Sequence, residues 1–354
     1  MPAQEAGAGE AASDVTALEA ELLRKEAAHG AQNYPPAPVV ISRARGATVW
    51  DVRGRRFFDF LVGYSAVSQG HCHPRIISAL SDQAKTCTLT SRAFHNDKWP
   101  LLAEHLSRAL GYEAALPMNS GAEAVETAVK LAKKWAFEGK GVADGEQLIA
   151  SACGCFHGRT AAAISMSCDP DATTGFAPLL PGTVKVPFGD AEALRGALER
   201  FGERIAAFVV EPIQGEGGVV LPPEGYFAEV RRLCDRHNVL LVADEVQTGL
   251  GRTGHMLAIE AEGVRPDVVV LGKALSGGVL PVSAVVADWR VMNSIKPGEH
   301  GSTFGGSPLG AAVALEALKV LQDERLVERS AEVRRTKRVH AARGHVSARS
   351  NVRR

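Results

Sequence analysis

Three short apolar runs, Ala206–Val210, Val239–Ala243 and Val268–Leu271, are rich in β-branched residues and stand between stretches with helical patterning. Continuous apolar runs of this length suit strands buried on both faces, as in a parallel sheet covered by helices. The expected fold is therefore α/β, with a mostly parallel central sheet flanked by helices. Such a sheet binds ligands beyond the carboxyl ends of its strands. The residues at those ends are Glu211, Asp244 with Glu245, and Gly272-Lys273. They are where chemistry is to be sought.

Composition narrows the class. The 354 residues suffice for about two domains, and 45% apolar with 23% charged residues is ordinary for a globular protein. The 40 basic and 40 acidic residues cancel, so no overall field gathers nucleic acid or an anionic membrane. No apolar run reaches bilayer length. Six Cys at irregular spacings, without a C-x-x-C, argue against a disulfide framework and for a reducing compartment, with the thiols packed as small hydrophobes; the expected location is the cytoplasm, with the mitochondrion as the alternative. The Ala/Glu-rich first 30 residues read as an acidic, flexible lead, unlike an Arg-rich mitochondrial presequence or a secretory signal. Residues 331–354 carry eight Lys/Arg against Glu332 alone and read as a solvated, disordered tail. A nucleic-acid arm is the alternative, but no aromatic residues interleave with the charges.

Smaller signals fill in the chain. Val49–Asp51 and Arg56–Phe60 around Arg53-Gly54 predict a hairpin. Pro74–Gln83 and Trp99–Leu110 predict amphipathic helices. In Met118-Asn119-Ser120-Gly121-Ala122-Glu123, Ser120 and Glu123 form a capping box that opens a helix running to Phe137. Free N–H groups at such a helix start make a seat for phosphate.

Lys273 emerges from an apolar strand, so partial desolvation lowers its pKa and makes it a candidate to capture a carbonyl covalently. Asp244 presents a carboxylate at the mouth of another buried strand. An acid there is what the pyridine nitrogen of pyridoxal phosphate requires, because the protonated ring is the electron sink. Gln247 is within a turn of Asp244 and suits the ring hydroxyl. Each feature has a plainer reading: a loop lysine, a turn-capping acid, a well-capped helix.

Their order along the chain is more specific. With Tyr64–Pro74 (YSAVSQGHCHP), Leu89–Phe94 (LTSRAF), Phe156–Thr160 (FHGRT), Glu211–Glu216 (EPIQGE), Ala243–Gly249 (ADEVQTG) and His300–Gly306 (HGSTFGG), the sequence resembles the class III, fold-type I aminotransferases, and most of all the ornithine aminotransferases, from about residue 33 to 330. The resemblance implies pyridoxal phosphate held by Lys273, paired with Asp244, touched by Gln247, stacked on Phe156 and seated by Gly121 and Ala122. It implies that Ser302 and Thr303 reach the phosphate of a neighbouring subunit, hence a homodimer. It assigns Arg159 to the substrate α-carboxylate, Tyr34 and Tyr64 to the substrate pocket, and Glu211 to an acid that pairs with an Arg in one half-reaction and releases it in the other. The implied activity moves the δ-amino group of ornithine to 2-oxoglutarate, giving glutamate 5-semialdehyde. The alternatives are an acetylornithine or 4-aminobutyrate aminotransferase, or a catalytically impaired relative.

The implied organisation is a lead (1–30), an N-terminal segment of the small domain (31–75), a large cofactor-binding domain (76–307), an interdomain helix (308–330) and the basic tail (331–354). The family continues where this chain has its tail. The reading is thus of a truncated small domain, with the stripe Leu309, Val313, Leu318 and Leu321 exposed for want of it. Two motifs compete. Gly249-Leu250-Gly251-Arg252-Thr253-Gly254 fits G-x-G-x-x-G, but five residues separate it from the strand, whereas a dinucleotide site needs the turn at once. His71-Cys72-His73 and Cys153-Gly154-Cys155-Phe156-His157 have metal-capable side chains without zinc spacing.

Overall fold

The computed structural model describes the backbone of residues 6–344 and the side chains of residues 16–335. The strands are β1 (Ile41–Arg45), β2 (Thr48–Asp51), β3 (Arg56–Phe58), β4 (Ala114–Met118), β5 (Leu148–Ala152), β6 (Thr183–Val186), β7 (Ile205–Val210), β8 (Leu240–Asp244), β9 (Val268–Leu271) and β10 (Ser283–Ala287). The last seven form one sheet in the order β4-β10-β9-β8-β7-β5-β6. Neighbours from β9 through β6 pair parallel, while β10 runs antiparallel to both β4 and β9. The mostly parallel sheet agrees with the sequence reading.

Side-chain alternation explains the layers. In β7, Phe208 and Val210 join a core with Leu106, Leu198, Phe227, Leu233 and Leu318, contributed by helices on one face. Ala207 and Val209 point the other way, into a second core with Val125, Val129 and Leu131 of the Gly121–Trp135 helix. A strand sandwiched in this way has no polar face. The apolar runs record that constraint. Among the described residues, no helix is long and apolar enough to cross a membrane.

At the N-terminal side, β1, β2 and β3 form a small antiparallel sheet. The β2–β3 hairpin turns on Asp51, whose Oδ1 accepts from the Arg53 and Arg55 amides at 3.0 and 2.8 Å. Gly54 takes the positive φ of 78° that this turn requires.

Several expectations need correction. The lead folds into a helix over Ala6–His29, in keeping with its alanine and glutamate content. It docks through Glu19, which is buried and paired with Arg53 and, at 3.8 Å, Arg55. The long C-terminal helix stops at Asp323, Arg325 adopts a left-handed φ of 51°, and a second helix runs over Leu326–Gly344. The first part of the basic tail is therefore helical. Its start packs on the loop after β8, where Ser330 Oγ donates to the Arg252 carbonyl at 3.0 Å. The remaining tail residues, 345–354, lie outside the described residues. The stripe expected to be exposed is covered: Val313, Leu318 and Leu321 are buried and Leu309 is partly so. Finally, Cys153 and Cys168 form a disulfide, so not all six Cys are free thiols; Cys72, Cys87, Cys155 and Cys234 are.

The competing motifs have structural explanations. A Cβ on Gly251 would lie 3.1 Å from Val327, and one on Gly254 only 2.7 Å from Ala331. These glycines admit the C-terminal helix rather than a dinucleotide. His71 bonds Asp59 at 2.6 Å and His73 bonds Glu324 at 2.9 Å.

Burial of the Pro308–Asp323 helix makes a simple prediction. Leu318→Ala leaves a void in the core and is expected to lower unfolding free energy by about 2–5 kcal/mol in urea titration. A change below about 0.5 kcal/mol, the surface value, would contradict that burial.

Candidate active site

The site forms beyond the carboxyl ends of β7, β8 and β9. Asp244 is the last residue of β8, one position beyond the run that the sequence places at Val239–Ala243. It is only 3% exposed, so its charge must be met within the protein. Oδ2 lies 2.6 Å from His157 Nδ1, and Oδ1 accepts from the Val246 amide at 3.1 Å. Burial disfavours a charged His157, yet the hydrogen bond to Asp244 prevails and carries its pKa well above the ordinary value. The imidazole Nε2 is buried without a partner among the described residues.

Lys273 opens a short 3-10 turn, Lys273–Ser276, immediately after β9 and Gly272. Its φ of 43° is left-handed, a strained state for a residue with a side chain. Burial lowers its pKa, against the attraction of the Glu216, Asp244 and Glu211 carboxylates. A larger share of neutral amine results.

The Gly121–Trp135 helix begins as its capping box predicts. The Glu123 amide donates to Ser120 Oγ at 3.1 Å, while Glu123 Oε2 accepts from the Ser120 and Asn119 amides at 3.0 and 2.8 Å. The first amides of a helix have no intrahelical acceptor and the positive dipole end adds to them. Glycine is needed at 121, where a Cβ would stand 2.8 Å from Val246 Cγ1. Close approach of this helix start to the β8 and β9 ends creates a cavity of about 150 Å³.

That cavity is lined by Gly121, Ala122, Phe156, Glu211, Asp244, Gln247 and Lys273, seven of the residues singled out from sequence. Five expected residues do not line it. Tyr34 is 66% and Tyr64 45% exposed. Arg159 is exposed, its guanidinium 5.3 Å from the centroid of the Phe156 ring. Thr303 is exposed, and Ser302 Oγ accepts from Asn119 Nδ2 at 2.7 Å beside the helix start.

Two ionisable lining residues, His157 and Glu216, were not among the candidates. His157 follows Phe156, but nothing local announces a partner 87 positions away. Glu216 stands exposed at the mouth, with Gln247 Nε2 donating to its Oε1 at 2.9 Å. This bears on the switching role given to Glu211. Glu211 is buried, its Oε2 accepting from the Phe156 amide at 3.0 Å and its Oε1 from the Gly215 amide at 3.4 Å. An acid so engaged anchors the loop that carries Phe156 and His157. The exposed carboxylate is Glu216, five residues on in the same segment.

Burial raises the Glu211 carboxyl from 4.5 to about 7, with His157 opposing and Asp244 reinforcing the shift. Glu245, buried beneath the next loop, is raised likewise to about 7. A carboxyl whose folded pKa exceeds its unfolded one binds its proton more tightly when folded. Its stabilisation is full below about pH 4.5 and is lost as pH rises through about 7. Glu211→Gln is therefore expected to flatten the fall in unfolding free energy of cofactor-free protein across that window, leaving the share due to Glu245. Urea melts over the pH series check this; an unchanged slope would contradict it.

Comparison with known proteins agrees with this geometry. The family model described as aminotransferase class-III matches residues 29–341. A mitochondrial ornithine aminotransferase of Arabidopsis thaliana is 59% identical over 312 residues, covering 88% of this chain and 66% of its own length. The chain thus spans about two thirds of that relative. A structure of Toxoplasma gondii ornithine aminotransferase, described with partial occupancy of pyridoxal phosphate at its active site, is 45% identical with a TM-score of 0.86, covering 93% of this chain and 76% of its own. An acetylornithine aminotransferase from Elizabethkingia anophelis is 48% identical with a TM-score of 0.82, covering 92% and 78%. With matching fold, motif order and site, the chain belongs to the class III aminotransferases.

Proposed function

We propose that the chain is an ornithine aminotransferase that moves the δ-amino group of L-ornithine to a 2-oxo acid, 2-oxoglutarate, and releases glutamate 5-semialdehyde. The observation that carries this reading is the single cavity that brings the Lys273 amine to the Asp244–His157 pair. Pyridoxal phosphate fits the residues present. The helix start at Gly121–Ala122 suits its phosphate, the Phe156 ring its face, and Gln247 its hydroxyl. The buried Asp244 carboxylate suits a protonated ring nitrogen. When bound, the cofactor supplies a conjugated electron sink for the carbon that carries the transferred amine.

The chain's own residues do the rest. Asp244, held by His157 Nδ1 and the Val246 amide, keeps a negative charge fixed in a dry site, where it stabilises a proton on a ring nitrogen. Lys273 Nζ, desolvated and so a better base at neutral pH, takes the proton from the substrate carbon bearing the distal amine. Arg159 holds the α-carboxylate through a two-pronged hydrogen bond, and Tyr34 and Tyr64 complete the substrate wall. These three stand at the surface of the single chain. Ser302 and Thr303 also lie off the chain's own cavity. That disposition favours a homodimer whose subunits complete each other's sites. Glu216 at the mouth, rather than Glu211, is the acid available to exchange partners between the half-reactions. The sequence favours a cytoplasmic setting, with which the Cys153–Cys168 disulfide sits less easily.

The test is turnover of ornithine with 2-oxoglutarate by the purified chain. Two half-reactions through one amine acceptor predict parallel double-reciprocal lines. Lys273→Ala is expected to lower kcat by about 10²–10⁴, the usual worth of a positioned base. Cofactor binding without turnover would instead favour a non-catalytic relative that acts only beside a complete subunit. Tyr34→Ile is expected to shift preference from ornithine toward 4-aminobutyrate. An unchanged substrate ratio would remove Tyr34 from the pocket, and faster turnover of acetylornithine by the unaltered chain would favour the acetylornithine reading.

A further inference from the structure

The turn that carries Lys273 is held by a side chain from a distant segment. Gln69 is 9% exposed, and its Nε2 donates to the Ala274 carbonyl at 3.3 Å and the Ala317 carbonyl at 3.2 Å. Ala274 follows Lys273 directly, and its carbonyl also accepts the Gly277 amide at 3.0 Å, the bond that closes the turn. Ala317 lies in the buried Pro308–Asp323 helix. One carboxamide therefore ties three parts of the chain together at the residue next to the reactive amine.

The surroundings leave the turn little room. A Cβ on Gly277 would lie 2.5 Å from Ile76 Cδ1, and one on Gly278 would lie 2.8 Å from Val67 Cγ2. The segment that contains Gln69 thus presses on the far end of the turn, while Gln69 bonds its near end. Lys273 itself holds a left-handed φ, which persists only where neighbours over-determine the backbone. Packing confines the turn from outside. Among the described residues, the bond from Gln69 is the side-chain hydrogen bond that reaches the carbonyl of Ala274, the residue after Lys273.

We infer that Gln69 is a positioning residue: its two N–H donors fix the Lys273 turn against the Pro308–Asp323 helix and so keep the amine aimed into the cavity. The inference rests on the reading of Lys273 as the reactive amine. Removing the donors leaves the Ala274 carbonyl with the Gly277 amide alone and the Ala317 carbonyl with its helix bond alone, so the side-chain tie between turn and helix is lost and the turn loosens toward water. The Lys273 amine then regains solvation, and its titration moves up toward that of an ordinary lysine. The Glu216, Asp244 and Glu211 carboxylates, which also face the amine, are untouched by the change.

The experiment labels cofactor-free protein with trinitrobenzenesulfonate over a pH series and follows Lys273 by peptide mass spectrometry. Thermal melting reports on folding, and steady-state kinetics are measured in parallel. Gln69→Met is expected to raise the midpoint of Lys273 labelling, and to lower kcat about tenfold with KM changed less than about twofold, while melting stays cooperative. Should Gln69→Met fail to fold, Gln69→Glu is read instead: it keeps the shape, and when ionised it has no donor for either carbonyl. Wild-type midpoint and kcat in a folded variant would overturn the inference. If Lys273 of the unaltered chain labels like a surface lysine, the reading of that amine fails and the inference with it.

Discussion

A carboxylate at the end of a buried strand has to be neutralised or held, and Asp244 is held by His157 at 2.6 Å. That pair is the constraint around which the site is built. An isolated charge in so dry a place would take up a proton and lose its use as a counter-charge. The partner imidazole, itself wholly buried, comes from the loop after β5. Glu211 in turn anchors that loop by accepting the Phe156 amide. Three neighbouring strands thus cooperate to hold one buried carboxylate at the wall of the cavity.

The sheet makes this cooperation possible. Parallel pairing of β7, β8 and β9 sets Glu211, Asp244 and Lys273 at one edge, because parallel strands bring their carboxyl ends to the same side. Across from them the Gly121 helix start approaches so closely that no side chain fits at position 121. Anion-attracting amides, a fixed carboxylate and a desolvated amine therefore surround one cavity. Each is ordinary alone. Their convergence gives the site its chemistry.

The elements that sequence reveals are those whose signal is local. Val268–Leu271 is buried on both faces and announces itself as an unbroken apolar run. Ser120 and Glu123 write the start of their helix in four residues. By contrast, β4 and β10 carry mixed or small residues, with Pro117 inside the former, and do not stand out. The partnership of His157 with Asp244 is set by tertiary structure and leaves no spacing to read. Glu211 and Glu216 share one short segment, and only burial separates the loop anchor from the acid at the mouth. Tyr34, Tyr64, Arg159, Ser302 and Thr303 came from resemblance, and they lie outside the cavity of a single chain. The helical start of the tail also escaped, since its packing against Gly251 and Gly254 depends on a loop some 80 positions earlier.

The chemistry of the site depends on the amine of Lys273 and the carboxylate of Asp244 sharing a cavity suited to pyridoxal phosphate. Borohydride reduction of the loaded protein, followed by peptide mapping, tests it most directly. The expected result is one pyridoxyl group per chain, on Lys273, and its loss when Lys273 is replaced. An adduct on another lysine, or none at all, would contradict it.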